Sequence, residues 1–347
     1  MIQIPEKFQK DLQTTREIIE AVNVHHPHLE GMLLWSIHCD ISNRATLVIG
    51  VPDTGKSRVA KVVEDSTQRQ SLNPHGITVN GLKYYAEKLT DSSTTVIVED
   101  LSRSGNDYMK INTVSVLSGL SYTGFVEKHN QAINLSISHC RMSALIFAQP
   151  LMLRSLVSVD EFDSDIRDKC MRYYHLFRPS SPFPKPLDVR VKYSSLDRQP
   201  VGGDGLDDVI IENLRNEVSK GRAIEHNVAL VEASARLNQR NEITEADKWI
   251  VRGLTNNMKL EGYLFSKHHL EGARHLDIDA IPIFTAFLSF PHNTVKSIGI
   301  EFGVSETRTR EILNTLGKWV MVNSKNVYPT PEAKRIMKEI RFDGDIL

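Results

Sequence analysis

The sequence predicts an α/β core built on a mostly parallel sheet, followed by an all-helical segment and a small C-terminal helix-turn-helix unit. From 45 to about 179, four short apolar runs, TLVIG, TTVIVED, SALIFAQ and RYYHLF, alternate with helical stretches, which is typical of a parallel sheet covered by helices. From 209 to about 258 the apolar spacing is purely helical, and 281–342 forms a last compact unit. A stretch rich in Pro, Gly and Ser, 180–207, breaks the periodicity and reads as a linker. The predicted units are 1–189, 190–275 and 276–347.

The overall composition is that of ordinary globular protein. Of the 347 residues, 40% are hydrophobic and 24% charged, which excludes a disordered or fibrous chain. Lys plus Arg number 42 against 43 for Asp plus Glu, so the net charge neither supports nor excludes a nucleic-acid partner. Any basic surface has to be local.

The cysteines and the N-terminus indicate a cytoplasmic setting. Cys39, Cys140 and Cys170 are odd in number and widely spaced, which fits neither a disulfide framework nor a zinc site. The first residues contain no apolar signal segment, and no apolar run approaches the length of a bilayer span. We therefore expect a soluble, unprocessed cytoplasmic protein with no membrane partner.

Two helices are predicted ahead of the core. Apolar residues fall at helical spacing from 8 to 22, and 29–37 forms a second short helix that leads into the first strand.

The strongest motif in the chain is a phosphate-binding loop that follows this first strand. The residues that match the pattern G-x-x-x-x-G-K-[ST] are Gly50, Val51, Pro52, Asp53, Thr54, Gly55, Lys56 and Ser57. The strand ATLVIG enters the loop and a helix leaves it, so backbone N–H groups converge on phosphate oxygens at a helix N-terminus. Lys56 is expected to reach the β- and γ-phosphates, and the Ser57 hydroxyl to complete the shell of a magnesium ion. The alternative is a chance Gly-rich turn before a helix.

A second acidic motif ends the strand TVIV. Glu99 and Asp100 follow this buried run, where a P-loop site needs carboxylates for magnesium and for the attacking water. The usual order in this Walker B motif is Asp then Glu, and here it is reversed. We expect Glu99 toward magnesium and Asp100 toward the water, with the swapped roles kept open. The alternative is a solvated acidic turn after a core strand.

This order of motifs resembles the AAA+ superfamily. The resemblance is strongest to the ATPase core of minichromosome maintenance helicases and MoxR-like ATPases, and it covers roughly 29–254. The segment HPHLEGMLLWSI is similar to the helix that leads into that core, and GLSYTGFVEKHNQAINLSISHCRMSALIFAQP is similar to its helix, hairpin and strand. The resemblance implies a P-loop core with a parallel sheet, an all-α lid, ATP and Mg²⁺ as ligands, and self-association into a ring or filament.

Three further polar residues take roles from this resemblance. Gln149 occupies the sensor 1 position, which orients the attacking water, although family members more often carry Asn there. Arg167 is the candidate arginine finger and Arg172 its runner-up, since an arginine fork suits the charge on a transferring phosphoryl group of the neighbouring subunit. Each could instead form a surface salt bridge.

The helical segment after the linker resembles the lid of the same family. Arg222 matches the sensor 2 position, which faces the γ-phosphate, and the last lid helix opens at 243–247.

The C-terminal unit predicts a winged helix. VKSIGIEF, a tight turn at Gly303 and a helix capped by Ser305 form a helix-turn-helix, and 323–326 is the tip of a hairpin wing. The predicted core residues are Val295, Ile298, Val304, Ile312, Leu313 and Leu316.

This unit is the candidate DNA-binding module. From 280 to 342 it carries nine Lys or Arg against five Glu. Thr307, Arg308, Arg310 and Glu311 lie off the predicted apolar face, and the two arginines are the candidates for base contact in a major groove. Lys318 and Lys325 are candidates for phosphate contact. Winged helices also bind proteins, which is the alternative reading.

The predicted function is therefore an oligomeric, magnesium-dependent ATPase that couples hydrolysis to movement on DNA or to remodelling or loading on it. The rival is a chaperone-like remodeller or regulatory ATPase whose winged helix binds protein. Two histidine groups are expected to be solvated loops because they lack carboxylate or cysteine partners at metal-ligand spacing. They are His25, His26 and His28, and His268 with His269.

Overall fold

The computed structural model describes most of the chain. The described residues are 2–130, 133–160, 162, 166–180, 185–196, 205–215, 218–264, 277–290 and 292–341. His268 and His269 lie outside them.

A five-stranded parallel sheet forms the centre of the protein, with the order β2-β3-β6-β1-β7. Its strands are β1 (Ala45–Gly50), β2 (Gln70–Leu72), β3 (Ser93–Val98), β6 (Arg141–Ala148) and β7 (Cys170–His175). The predicted α/β class and the four predicted strands are confirmed, whereas β2 was not anticipated. Strands β1 and β6 are buried almost throughout because helices cover both faces of the sheet.

One face of the sheet is covered by the N-terminal helices and by the helices that follow the linker. These are α1 (Gln13–Asn23), α2 (Glu30–Ile41), α3 (Lys56–Ser66), α9 (Asp208–Arg215), α10 (Lys220–Leu237) and α11 (Glu245–Asn256). Helix α2 is buried on all sides between the sheet and α10, and the indole N–H of Trp35 donates to Thr46 Oγ1 on β1 at 2.8 Å. The helical segment is therefore part of the same apolar cluster as this face of the sheet.

The opposite face carries α4 (Val79–Leu82), α5 (Ala86–Leu89), α6 (Asp107–Thr123), α7 (Pro150–Val157) and α8 (Arg167–Lys169). An antiparallel hairpin, β4 (Val126–Asn130) and β5 (Ile133–Ile137), lies between α6 and β6 in the chain. Helix α6 ends at Gly124, whose φ is 65°. A Cβ atom there would lie 2.9 Å from the Cys140 carbonyl oxygen, so this tight exit into the hairpin requires glycine.

Helix α12 (Lys259–Leu264) precedes the predicted boundary at 276 but packs against the last described helix of the chain, so we count it with the C-terminal unit, ahead of α13 (Ala280–Ser289). The unit continues through α14 (Val295–Phe302), α15 (Glu306–Thr315), β8 (Val320–Asn323), β9 (Asn326–Pro329) and α16 (Pro331–Glu339). Gly303 ends α14 with φ at 65°, and the Ser305 hydroxyl accepts from the Arg308 N–H at the start of α15. Val304, a predicted core residue, is 37% exposed instead, and the space between α14 and α15 is filled by the buried Thr309 against Gly299.

Several contacts fasten the C-terminal unit to the core. The guanidinium of Arg172 on β7 forms a buried ion pair with Glu261 on α12 at 2.7 Å, and Tyr174 donates to the same carboxylate at 2.8 Å. The apolar cluster on this side of the sheet extends without a break to Phe284 and Trp319. A buried pair of this kind is costly to break from one side, so the junction is expected to be firm.

All three cysteines are buried as free thiols. Across the described part of the chain, no helix combines the length and the apolar character needed to cross a bilayer.

Candidate nucleotide-binding site

The loop after β1 has the conformation that a phosphate cradle requires. Gly55 adopts a φ of 88° immediately before α3 begins at Lys56, and Asp53 is also left-handed with φ at 62°. A Cβ atom on Gly50 would lie 3.1 Å from Thr54 Oγ1 and 3.3 Å from the His175 carbonyl oxygen, so the start of the loop is closely packed. The loop thus presents the N-terminus of α3 to the crevice at the ends of the strands.

Lys56 folds back onto this loop. Its Nζ donates to the carbonyl oxygens of Gly50 and Val51 at 2.7 Å each. Burial lowers the pKa of the Lys56 ammonium to about 8, although the carboxylates of Asp100 and Asp53 act in the opposite direction. A bound anion would stabilise the ammonium form of this lysine and so raise its pKa again.

Two carboxylates face the loop from the end of β3. Glu99 is exposed, and Asp100 is half-buried with its Oδ1 accepting from the Ser102 N–H at 2.9 Å. Asp100 is also the carboxylate with the largest electrostatic effect on Lys56. The predicted acidic pair therefore lies beside the phosphate loop.

Gln149 lies between the two motifs. It directly follows β6, which pairs with β1 on one side and β3 on the other, so its side chain lies at the point where their carboxyl ends meet. A polar side chain there can orient a water between the carboxylates and a terminal phosphate.

These residues line one open cavity of about 720 Å³. From the phosphate loop and the predicted catalytic set, the lining residues are Pro52, Asp53, Thr54, Gly55, Lys56, Ser57, Glu99, Asp100 and Gln149. Gly50 and Val51 form the floor of the loop through their contacts with Lys56. The volume is ample for a nucleoside triphosphate.

The oxygen donors of the cavity suit magnesium. Within the described residues, no three His, Cys, Asp or Glu side chains gather into a metal site of their own. Mg²⁺ at a phosphate needs less, because one or two carboxylates, phosphate oxygens and waters complete its octahedron. The Ser57 hydroxyl with Glu99 or Asp100 would provide the protein ligands.

Several residues that sequence reasoning missed also line the cavity from beyond the phosphate loop, among them Arg58, Arg103, Arg178, Phe290 and Glu301. Arg178 forms ion pairs with Glu301 and with Asp53, the latter at 3.6 Å, and Phe290 lies nearby. Arg178 follows β7 by three residues, and the strand pairing places His175 beside Gly50. Parallel pairing of β1 with β7 could therefore have predicted that Arg178 lies near the phosphate loop. No local sequence pattern predicts that Phe290 or Glu301 lies there.

The predicted arginines Arg167 and Arg222 lie at the other end of the sheet. Arg167 is in α8, immediately before β7, and Arg222 is in the first turn of α10. The Arg222 guanidinium lies 3.9 Å from the ring centre of Tyr122 and 2.9 Å from Glu225, close to Arg44 at the start of β1.

This position limits how Arg222 could act on a nucleotide. Strand β1 alone separates the two ends by roughly 16 Å at about 3.3 Å per residue. Arg222 is therefore remote from the phosphate loop of its own chain, and the γ-phosphate that it is predicted to face would have to be bound by a neighbouring subunit. Arg167 and Arg222 lie near each other, since Asp168 accepts from the Ser219 N–H at 2.8 Å at the entrance to α10.

Arg172, the second candidate for the arginine finger, is too deeply buried for that role. Its side chain is fully enclosed and paired with Glu261, so it cannot reach a neighbouring subunit.

The predicted DNA-contacting arginines lie on α15 with partners of their own. Arg308 pairs with Glu311 at 2.6 Å and is largely exposed. Arg310 donates to the Ser324 carbonyl oxygen at 2.9 Å and pairs with Glu306 at 3.3 Å. Arg310 thus fastens α15 to the hairpin turn, and Arg308 is the more accessible of the two.

The two predicted lysines are exposed at the ends of α15 and of the hairpin. Lys318 has its Nζ 4.3 Å from the ring centre of Trp319, and Lys325 lies in the two-residue turn between β8 and β9.

Of the N-terminal histidines, His25 and His28 are exposed as expected, with His28 stacked on Phe177 at 4.3 Å. His26 is buried instead, with its Nε2 3.1 Å from the Pro186 carbonyl oxygen.

Comparison with known proteins adds no relative: protein-family models match no part of the chain, and the search of curated proteins finds no match.

Proposed function

We propose that this protein is an oligomeric, magnesium-dependent ATPase of the AAA+ class, with a C-terminal winged helix that binds DNA. The observation that supports it most is the single cavity that joins Lys56, both carboxylates and Gln149. The AAA+ resemblance of the sequence agrees with β6 lying between the strands of the two motifs.

Each residue in the cavity has a part in the proposed reaction. The backbone N–H groups of the loop and the Lys56 ammonium would bind the β- and γ-phosphates, and Ser57 would help to hold a magnesium ion that neutralises phosphate charge. Asp100 is the less exposed carboxylate and is proposed to lie on the magnesium side, which swaps the roles first expected. Glu99, the more exposed carboxylate, then accepts a proton from the water that attacks the γ-phosphorus, while Gln149 orients that water.

Self-association would complete the site. Arg167 and Arg222 lie together, remote from the phosphate loop of their own chain. In a ring or filament of head-to-tail subunits, this end of one sheet can face the nucleotide of the next. Both arginines would then stabilise the transferring phosphoryl group in trans.

The C-terminal unit is proposed to bind DNA through α15 and the hairpin. Arg308 would enter the major groove, and Lys318 and Lys325 would contact phosphates. Arg310 would contribute only after releasing Glu306 or the Ser324 carbonyl group.

One observation favours the rival function, a remodeller whose winged helix binds protein. Met321 and Tyr328 form a cross-strand pair on the hairpin, and their side chains are 47% and 46% exposed. Exposed apolar pairs of this kind are common at protein interfaces.

The ATPase rate with and without duplex DNA separates the two functions. A higher ATPase rate in the presence of DNA supports the proposal. An ATPase rate that DNA does not change favours the protein-binding alternative. Absence of any ATP hydrolysis by the oligomer would contradict both.

A salt titration tests the DNA contacts in the full-length chain. Each lost phosphate contact lowers the slope of log affinity against log salt by about one, so Lys318→Ala with Lys325→Ala should lower it by about two. The matched control is Lys334→Ala, which removes an exposed lysine from α16 instead. Equal slopes for the double variant and the wild type would remove both lysines from the interface.

A further inference from the structure

The guanidinium of Arg178 lies where the core and the C-terminal unit meet the phosphate cavity. Its backbone N–H donates to Ser289 Oγ at the end of α13 at 2.8 Å, which holds the residue against that unit. Its side chain is three-quarters buried and lines the cavity together with Asp53 and Glu301.

Arg178 binds two carboxylates from different units. One is Asp53 of the phosphate loop, at 3.6 Å, and the other is the mostly buried Glu301 of α14. Glu301 belongs to the first helix of the helix-turn-helix, so one arginine joins the phosphate loop to the candidate DNA-binding module.

A triphosphate in this cavity would change the balance of charge around Arg178. A phosphate carries more negative charge than a carboxylate and accepts the planar arginine fork through two parallel hydrogen bonds. Its oxygens would compete with Glu301 for the guanidinium and would repel both nearby carboxylates. Glu301 has no comparable second cation among the salt bridges within the described residues.

We propose that Arg178 binds the terminal phosphates of ATP within its own chain and releases Glu301 as it does so. ATP binding then frees α14 from the phosphate loop, while the buried Arg172–Glu261 pair keeps α12 on the core. This rests on the proposed ATPase function and assigns the cis phosphate contact to Arg178 in place of Arg222.

A second ion pair between the same two units provides a matched control. Arg154 on α7 pairs with Asp279, just before α13, at 3.2 Å, and neither residue lines the phosphate cavity. Arg154→Ala weakens the attachment of the C-terminal unit without removing a cation from the cavity.

The first measurement is nucleotide affinity by fluorescence titration with a non-hydrolysable ATP analogue and with ADP. Loss of a charge-assisted contact predicts about tenfold or more weaker binding of the analogue to Arg178→Ala, with a smaller loss for ADP. Arg154→Ala should bind both nucleotides as the wild type does. Unchanged affinity of Arg178→Ala for the analogue overturns the phosphate contact.

The second measurement follows the C-terminal unit directly, in the full chain. Spin labels on cysteines introduced at the exposed Lys88 of the core and the exposed Lys296 of α14 report the distance between core and helix, and the three native thiols are buried. The analogue should broaden or shift the wild-type distance distribution, and Glu301→Gln should produce that distribution without nucleotide. A wild-type distribution that ignores the analogue overturns the release of Glu301.

The variant Lys56→Ala distinguishes failure of the proposed ATPase function from failure of the Arg178 contact alone. If the wild type binds no ATP analogue, or Lys56→Ala binds it equally well, the proposed function and this inference fail together. If binding depends on Lys56 but neither the Arg178 nor the Glu301 variant differs from wild type, only this inference fails.

Discussion

The two ends of the central sheet carry different parts of the proposed ATPase site. The carboxyl ends of the strands hold the phosphate loop, Glu99, Asp100 and Gln149 around one cavity. The amino ends hold Arg167 and Arg222, with no phosphate loop beside them. Because the phosphate loop and these arginines lie at opposite ends, a single chain would lack both of them at its own nucleotide. A second chain could supply them.

The two ends also differ in how their charged groups are held. At the amino ends, Arg222 stacks on Tyr122 and pairs with Glu225, which also accepts from the Tyr122 hydroxyl group. At the carboxyl ends, Glu99 is exposed and Lys56 is bound only to loop carbonyl groups within the described residues. Arg222 is thus held in place by its own chain, whereas the polar groups of the phosphate loop can exchange partners with a ligand.

Removal of Arg167 or Arg222, the two arginines proposed to act in trans, should have the largest effect. Since an arginine finger contributes about a thousandfold or more to turnover, Arg167→Ala should bind ATP nearly normally and hydrolyse it about a thousandfold more slowly. Arg222→Ala should behave similarly. Mixing either variant with Lys56→Ala should restore activity, because one subunit supplies the phosphate loop and its neighbour the arginine.

Arg215→Ala is the control for this experiment, since Arg215 is an exposed arginine of α9 paired only with Glu212 in the described structure. Full activity of a strictly monomeric protein, or no recovery on mixing, would contradict the proposal that Arg167 and Arg222 act on the nucleotide of a neighbouring subunit.

The next largest effect concerns the acidic pair at the carboxyl ends. Glu99→Gln removes the proposed proton acceptor, so turnover should fall about a hundredfold or more while ATP and magnesium binding persist. Asp100→Asn should instead raise the magnesium concentration needed for half-maximal activity. Steady-state rates over a magnesium series measure both. If Glu99→Gln shows the magnesium defect, the roles are those first expected from the sequence.

What the sequence could predict depends on how local each feature is. The strand, loop and helix around Lys56 are consecutive, and the turn at Gly303 depends on one left-handed residue, so both followed from short-range chemistry. Strand β2 was not predicted because it has only three residues, of which Leu72 alone is apolar and buried, and so short a run shows no periodicity.

Contacts between residues far apart in the sequence could not be predicted in this way. The position of Arg222 depends on how α10 packs over α2, and the pairing of Arg178 with Glu301 joins residues 123 positions apart. The burial of Arg172 likewise depends on Glu261 of α12. No local pattern encodes these contacts, because they arise only when separate units pack together.

The smallest expected effect is a pH dependence of ATP affinity confined to the carboxyl ends. Burial lowers the pKa of Lys56 to about 8, whereas the negative phosphates of bound ATP favour its ammonium form. Below pH 8 the lysine already carries its proton, so affinity should be flat. Above pH 8 binding must take up a proton, and Kd should rise toward about tenfold per pH unit.

Other groups should contribute little to this change between pH 7 and 9. The phosphates themselves titrate near pH 6. Burial lowers the pKa of His175, behind the loop, and of His226, at the amino ends, to about 3, and the pKa of Arg44 to about 10.

Equilibrium titration of a non-hydrolysable analogue at constant ionic strength measures the effect. Lys61→Ala, which changes an exposed lysine of the same helix, should reproduce the wild-type profile. The nucleotide-free protein should show the opposite trend in stability. Because the unfolded chain binds the Lys56 proton more tightly, this group raises the free energy of unfolding as pH increases from about 8 toward 10.5. An affinity that stays flat through pH 9 would mean that Lys56 does not bind the phosphates as an ammonium ion.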